Sequence, residues 1–142
     1  MSPLPAGYSG TPLVRKLGIK AGARLGLLGA PSGFDETLGE LPPGVAVRRL
    51  RRGPLDVIVS FHTRRRELER TFGRLRDSLA HTGGLWIAWP KRASGVETDL
   101  TENVVRELGL AAGLVDNKVC AIDEVWSGLR FVYRLKDRPQ GR

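Results

Sequence analysis

The segment PLDVIVSFHT, residues 54–63, decides how the rest of this chain can fold. Apolar residues run almost without interruption from Leu55 to Phe61, with Asp56 and Ser60 as the exceptions. Such a run is typical of a parallel strand that helices cover on both faces, since neither side of the strand then meets water. We therefore predict a central strand of a parallel sheet here.

The residues after this strand predict a helix over 64–80, capped by Thr63. Its apolar residues recur at spacings of four, three and four, so they form a single stripe along the helix. They are Leu68, Phe72, Leu75 and Leu79. Arginines occupy much of the remaining surface, which we interpret as a solvated outer face.

Strand and helix patterns alternate along the rest of the chain. They predict a short helix opened by Thr11 and Pro12, a strand at 24–30, a helical turn at 34–40, a strand at 45–50, a strand at 85–90, a helix at 100–112, and strands at 115–122 and 129–136. The last two strands are joined too closely for a crossover helix, so they should pair in antiparallel fashion at one edge of the sheet. We predict an α/β fold: a three-layer Rossmann-like domain whose mostly parallel sheet ends in a C-terminal antiparallel strand pair.

The final predicted strand alternates between two kinds of residue. Leu129, Phe131, Tyr133 and Leu135 share one face, and Arg130, Val132, Arg134 and Lys136 share the other. This alternation predicts a strand with one face in water.

Length and composition indicate one globular domain. The chain has 142 residues, 41% of them hydrophobic, which is enough for a core without disulfides or metal. We assign residues 1–10 to an N-terminal arm, 11–136 to the domain and 137–142 to a disordered tail. One cysteine and two histidines show no paired ligand spacing, so we expect no metal and no other cofactor. No apolar run approaches the roughly 20 residues that span a bilayer, so we expect no membrane partner and a cytoplasmic location.

A ligand site on this fold should lie beyond the carboxyl ends of the parallel strands. The loop GAPSG after the first strand offers Gly29, Ser32 and Gly33, and glycine there lets a ligand approach the backbone. His62 follows the central strand, and we interpret it as a hydrogen-bonded loop residue, with catalysis as the alternative.

The loop PKRASGVET, residues 90–98, contributes a second group. Its candidate ligand-binding residues are Lys91, Arg92, Ser94 and Gly95. Two cations beside a helix start could cradle an anion, but Asp99 and Glu102 are expected to cap that same start and would repel it.

The turn DEVWSG contributes Asp123, Glu124 and Trp126. The two carboxylates could bind a cation or act as a base. Alternatively, Asp123 accepts backbone N–H groups in the turn and Trp126 covers the sheet edge. Cys120 in the preceding strand should be a buried, inert thiol, and we assign no catalytic residue.

The order of elements resembles the fold of methyltransferases that use S-adenosylmethionine. Both have a short helix before a glycine-bearing first strand and a terminal antiparallel pair. Those enzymes usually carry a GxGxG-like turn after the first strand and an acidic residue at the end of the second, which holds the ribose hydroxyls. Here the turn is GAPSG and the second strand leads into RRLRR, residues 48–52, whose guanidinium groups cannot accept a hydrogen bond.

Several phrases between Gly7 and Arg134 resemble an uncharacterised family of small bacterial proteins, domain of unknown function 3052. They are GYSGTPLVRKLGIKAG, LWIAWPKRASG, TDLTE and GLVDNKVCAIDEVWSGLRFVYR. The resemblance implies no particular reaction, cofactor or catalytic residue.

These observations favour a non-catalytic binding domain for a protein partner or an anionic small ligand, because no complete catalytic motif is recognisable. One alternative is a divergent transferase or methyltransferase-like enzyme. A second alternative, which we do not favour, is a nucleic-acid-binding module, since a net charge of +8 can attract nucleic acid but can equally reflect an arginine-rich proteome. That module would use Arg48, Arg49, Arg51, Arg52, Arg64, Arg65 and Arg66.

Overall fold

The computed structural model describes residues 11–49 and 53–138. The predicted N-terminal arm, Arg51 and Arg52, and the last four residues of the predicted tail lie outside the described residues.

The described residues form six strands and four α-helices. In chain order these are α1 (Leu13–Lys16), β1 (Arg24–Leu28), α2 (Phe34–Leu38), β2 (Ala46–Arg49), β3 (Leu55–Phe61), α3 (Arg65–Ser78), β4 (Leu79–Pro90), α4 (Glu102–Ala111), β5 (Leu114–Ala121) and β6 (Trp126–Tyr133). The sequence placed the start of β4 at Leu85, but the strand begins at Leu79, and its first residues pair irregularly with β3. Residues 81–84, which the predicted helix at 64–80 and strand at 85–90 left as a connection, are therefore part of the strand.

The six strands form one sheet in the order β2-β1-β3-β4-β6-β5. Strands β1 to β4 are parallel to one another, and β6 runs antiparallel to both β4 and β5. The predicted fold class is confirmed: a mostly parallel sheet ends in an antiparallel pair near the C-terminus.

Strand β6 does not have the wet face that its alternation predicted. It lies between β4 and β5, with Phe131 0% exposed and Val132 7% exposed, and even Arg130 is half-buried. After β4 the chain first forms β5, which is not next to β4. It then turns back, and β6 lies between β4 and β5 and pairs with both. That strand order is set by tertiary pairing and leaves no mark in the local alternation.

Two apolar clusters cover the two faces of the sheet. On one face, α3 and α4 pack through the predicted stripe, and Leu68, Phe72 and Leu75 are all buried. On the other face, α1 and α2 pack around Trp86, whose indole N–H donates to the Leu17 carbonyl at 3.0 Å. The sheet is thus enclosed, and its ligand-accessible surfaces are at the ends of its strands.

Candidate functional site

The strand order defines where a ligand can reach the backbone. From β1 the chain moves outward to β2 and then returns to the other side of β1 to form β3. In open α/β sheets the crevice at such a reversal, beyond the carboxyl ends of the strands, is the usual ligand site. Gly29 lies there with a φ of +68°, and a Cβ at this position would be 3.0 Å from the Phe61 carbonyl oxygen. Glycine is required because the loop approaches β3 so closely.

The rest of the first loop leads directly into α2. Gly33 precedes the helix with a φ of +86°, and both Gly33 and Ser32 are exposed. Phe34 then turns inward and packs edge-on against Phe61, with ring centroids 5.0 Å apart. This aromatic contact anchors the exposed loop to the end of β3.

His62, at the end of β3, is part of a hydrogen-bonded chain under α3. Its Nε2 lies 2.5 Å from the Ser60 Oγ, and its Nδ1 lies 2.5 Å from a Glu67 carboxylate oxygen. The other Glu67 oxygen accepts a hydrogen bond from the Thr71 hydroxyl at 2.9 Å. These hydrogen bonds therefore join the end of the central strand to the first two turns of α3.

Burial and pairing determine the protonation states in this chain. Burial lowers the pKa of His62, and this effect outweighs the opposing influence of Glu67. Burial alone would raise the pKa of Glu67, but hydrogen bonds from His62 and Thr71 leave that pKa below its ordinary value. At neutral pH the arrangement is a neutral imidazole that donates from Nδ1 to an ionised carboxylate and accepts the Ser60 proton at Nε2.

The order of hydrogen bonds from Ser60 to His62 to Glu67 is the same as that in a catalytic set of nucleophile, base and orienting acid. Ser60 is 0% exposed, however, so no substrate atom reaches its oxygen, and we interpret the chain as a structural tether. This set of three residues was not predicted from the sequence. The available signal was that Ser60 and His62 are two apart on a strand, which places them on one face, with Glu67 at the start of the next helix.

The two candidate loops that follow β4 and β5 meet. Because β6 is antiparallel to β4, its first residue Trp126 pairs with Pro90, the last residue of β4. The Lys91 N–H then donates to the Val125 carbonyl at 2.7 Å. The loop beginning at Lys91 and the turn beginning at Asp123 therefore belong to the same edge of the sheet.

The Asp123 carboxylate organises its own turn. Its Oδ1 accepts from the backbone N–H groups of Val125 and Trp126, both at 2.8 Å. The Trp126 ring packs edge-on against Phe61 at 5.1 Å. Of the two alternatives for Asp123, the structure favours the backbone-binding role, while Glu124 remains exposed.

The loop of residues 91–98 is folded by its own hydrogen bonds. Residues Arg92–Ser94 form a turn of 3-10 helix, in which the Ser94 hydroxyl donates to the Lys91 carbonyl at 2.7 Å and accepts from the Val96 N–H at 3.2 Å. Gly95 closes the turn with a φ of +77°. Among the described residues, neither Lys91 nor Arg92 forms a salt bridge.

The predicted capping of α3 and α4 was wrong. Asp99 accepts a hydrogen bond from the Arg65 N–H at 2.7 Å and so caps α3 rather than the helix that follows it. Thr63, predicted to cap α3, instead accepts through its carbonyl from the Thr98 hydroxyl at 2.6 Å. The cap of α4 is Thr101, which accepts from the Val104 N–H at 3.2 Å.

The remaining candidates lie elsewhere. Cys120 is half-buried on the edge strand β5 rather than fully buried, and desolvation raises the pKa of its thiol. Arg48 is exposed on β2, at the opposite edge. Arg64 and Arg65 pair with Glu97 and Glu69, and Arg66 is exposed.

Solved structures of other proteins share this arrangement. A methyltransferase dependent on S-adenosylmethionine from Aquifex aeolicus has 16% identity over 84% of this chain and 86% of its own, with a TM-score of 0.61. The fibrillarin pre-rRNA processing protein of Methanococcus jannaschii has 15% identity over 81% of this chain and 68% of its own, with a TM-score of 0.57. Magnesium protoporphyrin IX methyltransferase from Synechocystis, with SAH bound, has 10% identity over 86% and 78%, with a TM-score of 0.54. These likenesses establish a methyltransferase-like Rossmann fold.

Comparison at the sequence level gives no relative. No protein-family model matches the chain, and no curated protein matches it either. The resemblance to domain of unknown function 3052 is therefore unsupported, whereas the resemblance in topology to methyltransferases is confirmed. Within the described residues, no helix is both long and apolar enough to cross a membrane.

The leading functional prediction requires correction. The chain was expected to be a non-catalytic binding domain because it lacks recognisable catalytic motifs. Several of the structures that share its fold are methyltransferases, some with S-adenosylmethionine or SAH bound, and this finding contradicts that prediction. The absence of a recognised motif was a poor guide, because function depends on the geometry of a site and the same chemistry can be carried by different residues.

Proposed function

We propose that this chain is a divergent methyltransferase-like enzyme that binds S-adenosylmethionine at the carboxyl edge of its sheet. The observation that carries the proposal is the strand order, with antiparallel β6 inserted between β4 and β5, in a fold shared with solved methyltransferases. The loop at the reversal point supports it, because Gly29 leaves the backbone open where a larger residue would crowd Phe61.

The residues at this edge fit part of the ligand. The glycine loop supplies backbone access, and the adjoining loop supplies two cations, Lys91 and Arg92, that would attract the ligand's carboxylate. Strand β2 ends in Arg48 and Arg49, and guanidinium groups cannot accept hydrogen bonds from ribose hydroxyls. In this proposal the ribose hydroxyls donate to acceptors elsewhere in the site, and no side chain at the end of β2 binds them.

Isothermal titration with S-adenosylmethionine and with SAH tests the proposal. We expect saturable binding of both to the wild-type chain and a large loss of affinity in Gly29→Ala. The matched control is Gly113→Ala, because Gly113 also has a positive φ of +90° but has no atoms near a built Cβ. It follows α4, whose carboxyl end lies at the opposite edge of the sheet, so its binding should match wild type.

Two results would argue against the proposal. One is an absence of heat or thermal stabilisation with either compound at millimolar concentration. The other is equal affinity in Gly29→Ala and the wild-type chain, which would place any binding away from the first loop. A folded state for each variant is verified by circular dichroism, so that loss of binding is not confused with unfolding.

A further inference from the structure

A second cavity lies at the opposite, amino-terminal edge of the sheet, on the face covered by α1. Its volume is about 380 Å³, and residues that line it include Lys20, Gly22, Asp56, Thr82 and Arg130. Cavities of this size suit small ligands. Its lining combines two cations, a hydroxyl, one carboxylate and backbone groups.

Arg130 of β6 packs against a glycine of the neighbouring strand β4. Its guanidinium lies over Gly84 of β4, where a Cβ would come within 2.3 Å of Nε and 2.6 Å of Cζ. Only glycine at position 84 leaves room for the guanidinium in this place. The half-buried charge is therefore accommodated by backbone and is more than a long side chain lying on the surface.

The charge of Arg130 is poorly compensated within the described residues. No carboxylate there forms a salt bridge with it, and its one side-chain hydrogen bond, donated to Oδ1 of the Asn117 side chain, is long at 3.4 Å. Burial, and then the nearby charge of Arg138, lower its pKa. A partly desolvated cation beside another cation is costly unless an anion joins it.

Asp56, which also lines the cavity, does not meet that need. Its carboxylate accepts from the Arg24 backbone N–H at 2.8 Å and from the Arg24 guanidinium at 3.1 and 3.2 Å. Hydrogen bonds from Arg24 also hold the pKa of Asp56 below its ordinary value. Arg24 therefore already offsets the charge of Asp56, and no salt bridge joins Asp56 to Arg130.

We propose that this cavity binds a phosphate group, either inorganic or carried by a small monoester. The guanidinium fork of Arg130 binds two of its oxygens, and Lys20 and Thr82 supply an ammonium and a hydroxyl from the cavity wall. This site is at the opposite edge of the sheet from the proposed S-adenosylmethionine site and does not depend on it.

The site is tested by thermal unfolding and by titration with inorganic phosphate and, in parallel, with glycerol phosphate. Chloride at equal ionic strength is the control for a general salt effect. We expect saturable stabilisation of the wild-type chain by at least one probe. Arg130→Met should weaken binding by about tenfold or more, since a hydrogen bond to a charged group is lost. Lys20→Met, at an exposed position that tolerates change, should weaken it several-fold, about the value of one partly exposed charge.

Lys136→Met is the control, because it removes one exposed positive charge outside the cavity and should leave phosphate affinity unchanged. Stabilisation by phosphate no greater than by chloride would overturn the proposal. So would full retention of phosphate binding in both Arg130→Met and Lys20→Met. If Arg130→Met fails to fold, the Lys20→Met result decides alone.

Discussion

His62 shows how the surroundings of one residue set its chemistry. Sequence alone left it between a loop residue and a catalyst. In the structure its side chain is 1% exposed and is joined to Ser60 and Glu67, so it is a buried neutral base with both nitrogens occupied. Burial favours the neutral form of this histidine in the folded state. The free energy of unfolding therefore depends on pH, because the unfolded chain binds a proton at this histidine more readily than the folded chain does.

The pH dependence has a defined sign. The folded pKa of His62 lies below its ordinary value of 6.5, so the unfolded chain binds the proton more tightly. The stabilisation is complete above that value and is lost as the pH falls below it. We expect the free energy of unfolding, measured with urea, to decrease between pH 7.5 and pH 5, by at most about 1.4 kcal/mol per pH unit for one proton.

Replacing His62 with Gln keeps a donor and an acceptor but removes the titration, so the decrease should flatten. His81→Gln is the control, because His81 is exposed, and it should retain the wild-type profile. The lowered pKa of Glu67 acts in the same direction but in a more acidic range, below its ordinary value of 4.5. An unchanged profile in His62→Gln would show that another group is responsible.

At the scale of elements, α3 and α4 each contain an internal glycine, but the two glycines have opposite roles. A Cβ on Gly109 of α4 would lie 2.0 Å from the ring of Phe131 on β6, whereas a Cβ on Gly73 of α3 would meet no atom within 4 Å. Gly109 therefore lets α4 approach β6 closely. Gly73 has no packing reason of this kind among the described residues.

Alanine at these two positions should change stability in opposite directions. Gly73→Ala should raise the free energy of unfolding by about 0.5–1 kcal/mol, because alanine restricts the unfolded chain and favours the helix. Gly109→Ala should lower it by about 1–3 kcal/mol or more, because α4 must move away from Phe131. Urea unfolding of the pair measures both. Equal effects in the two variants would contradict the close packing of α4.

At the scale of the whole molecule, the sheet order divides the strands into interior and edge positions. Strands β1, β3, β4 and β6 have partners on both sides, whereas β2 and β5 have one partner each. Backbone amides in interior strands open only with the whole domain, while edge strands can separate locally. The sheet order thus also determines which parts of the molecule open first.

Native-state hydrogen exchange measures this division. We expect the slowest exchange in β3, β4 and β6 and faster exchange in β2 and β5. The comparison of β6 with β5 is decisive, because the sequence places both in one C-terminal hairpin and only the sheet order separates them. Exchange in β5 as slow as in β4 would contradict the order in which β6 is the inserted strand.

The amino-acid sequence by itself determined the elements and the fold class. The apolar run of β3 and the apolar stripe of α3 are local periodicities, so they could be recognised without knowledge of the rest of the chain. The short link between β5 and β6 likewise required an antiparallel pair. The glycine at position 29 marked the first loop as a place of close backbone approach, and the structure gives it a positive φ.

Only the tertiary structure decided which distant residues meet. The insertion of β6 beside β4 brings the Lys91 loop to the Asp123 turn. It also places Arg130 against Gly84. These contacts join segments far apart in the chain, and no local pattern of side chains encodes them. They arise because strands pair where the whole sheet buries the most apolar surface and satisfies the most backbone hydrogen bonds.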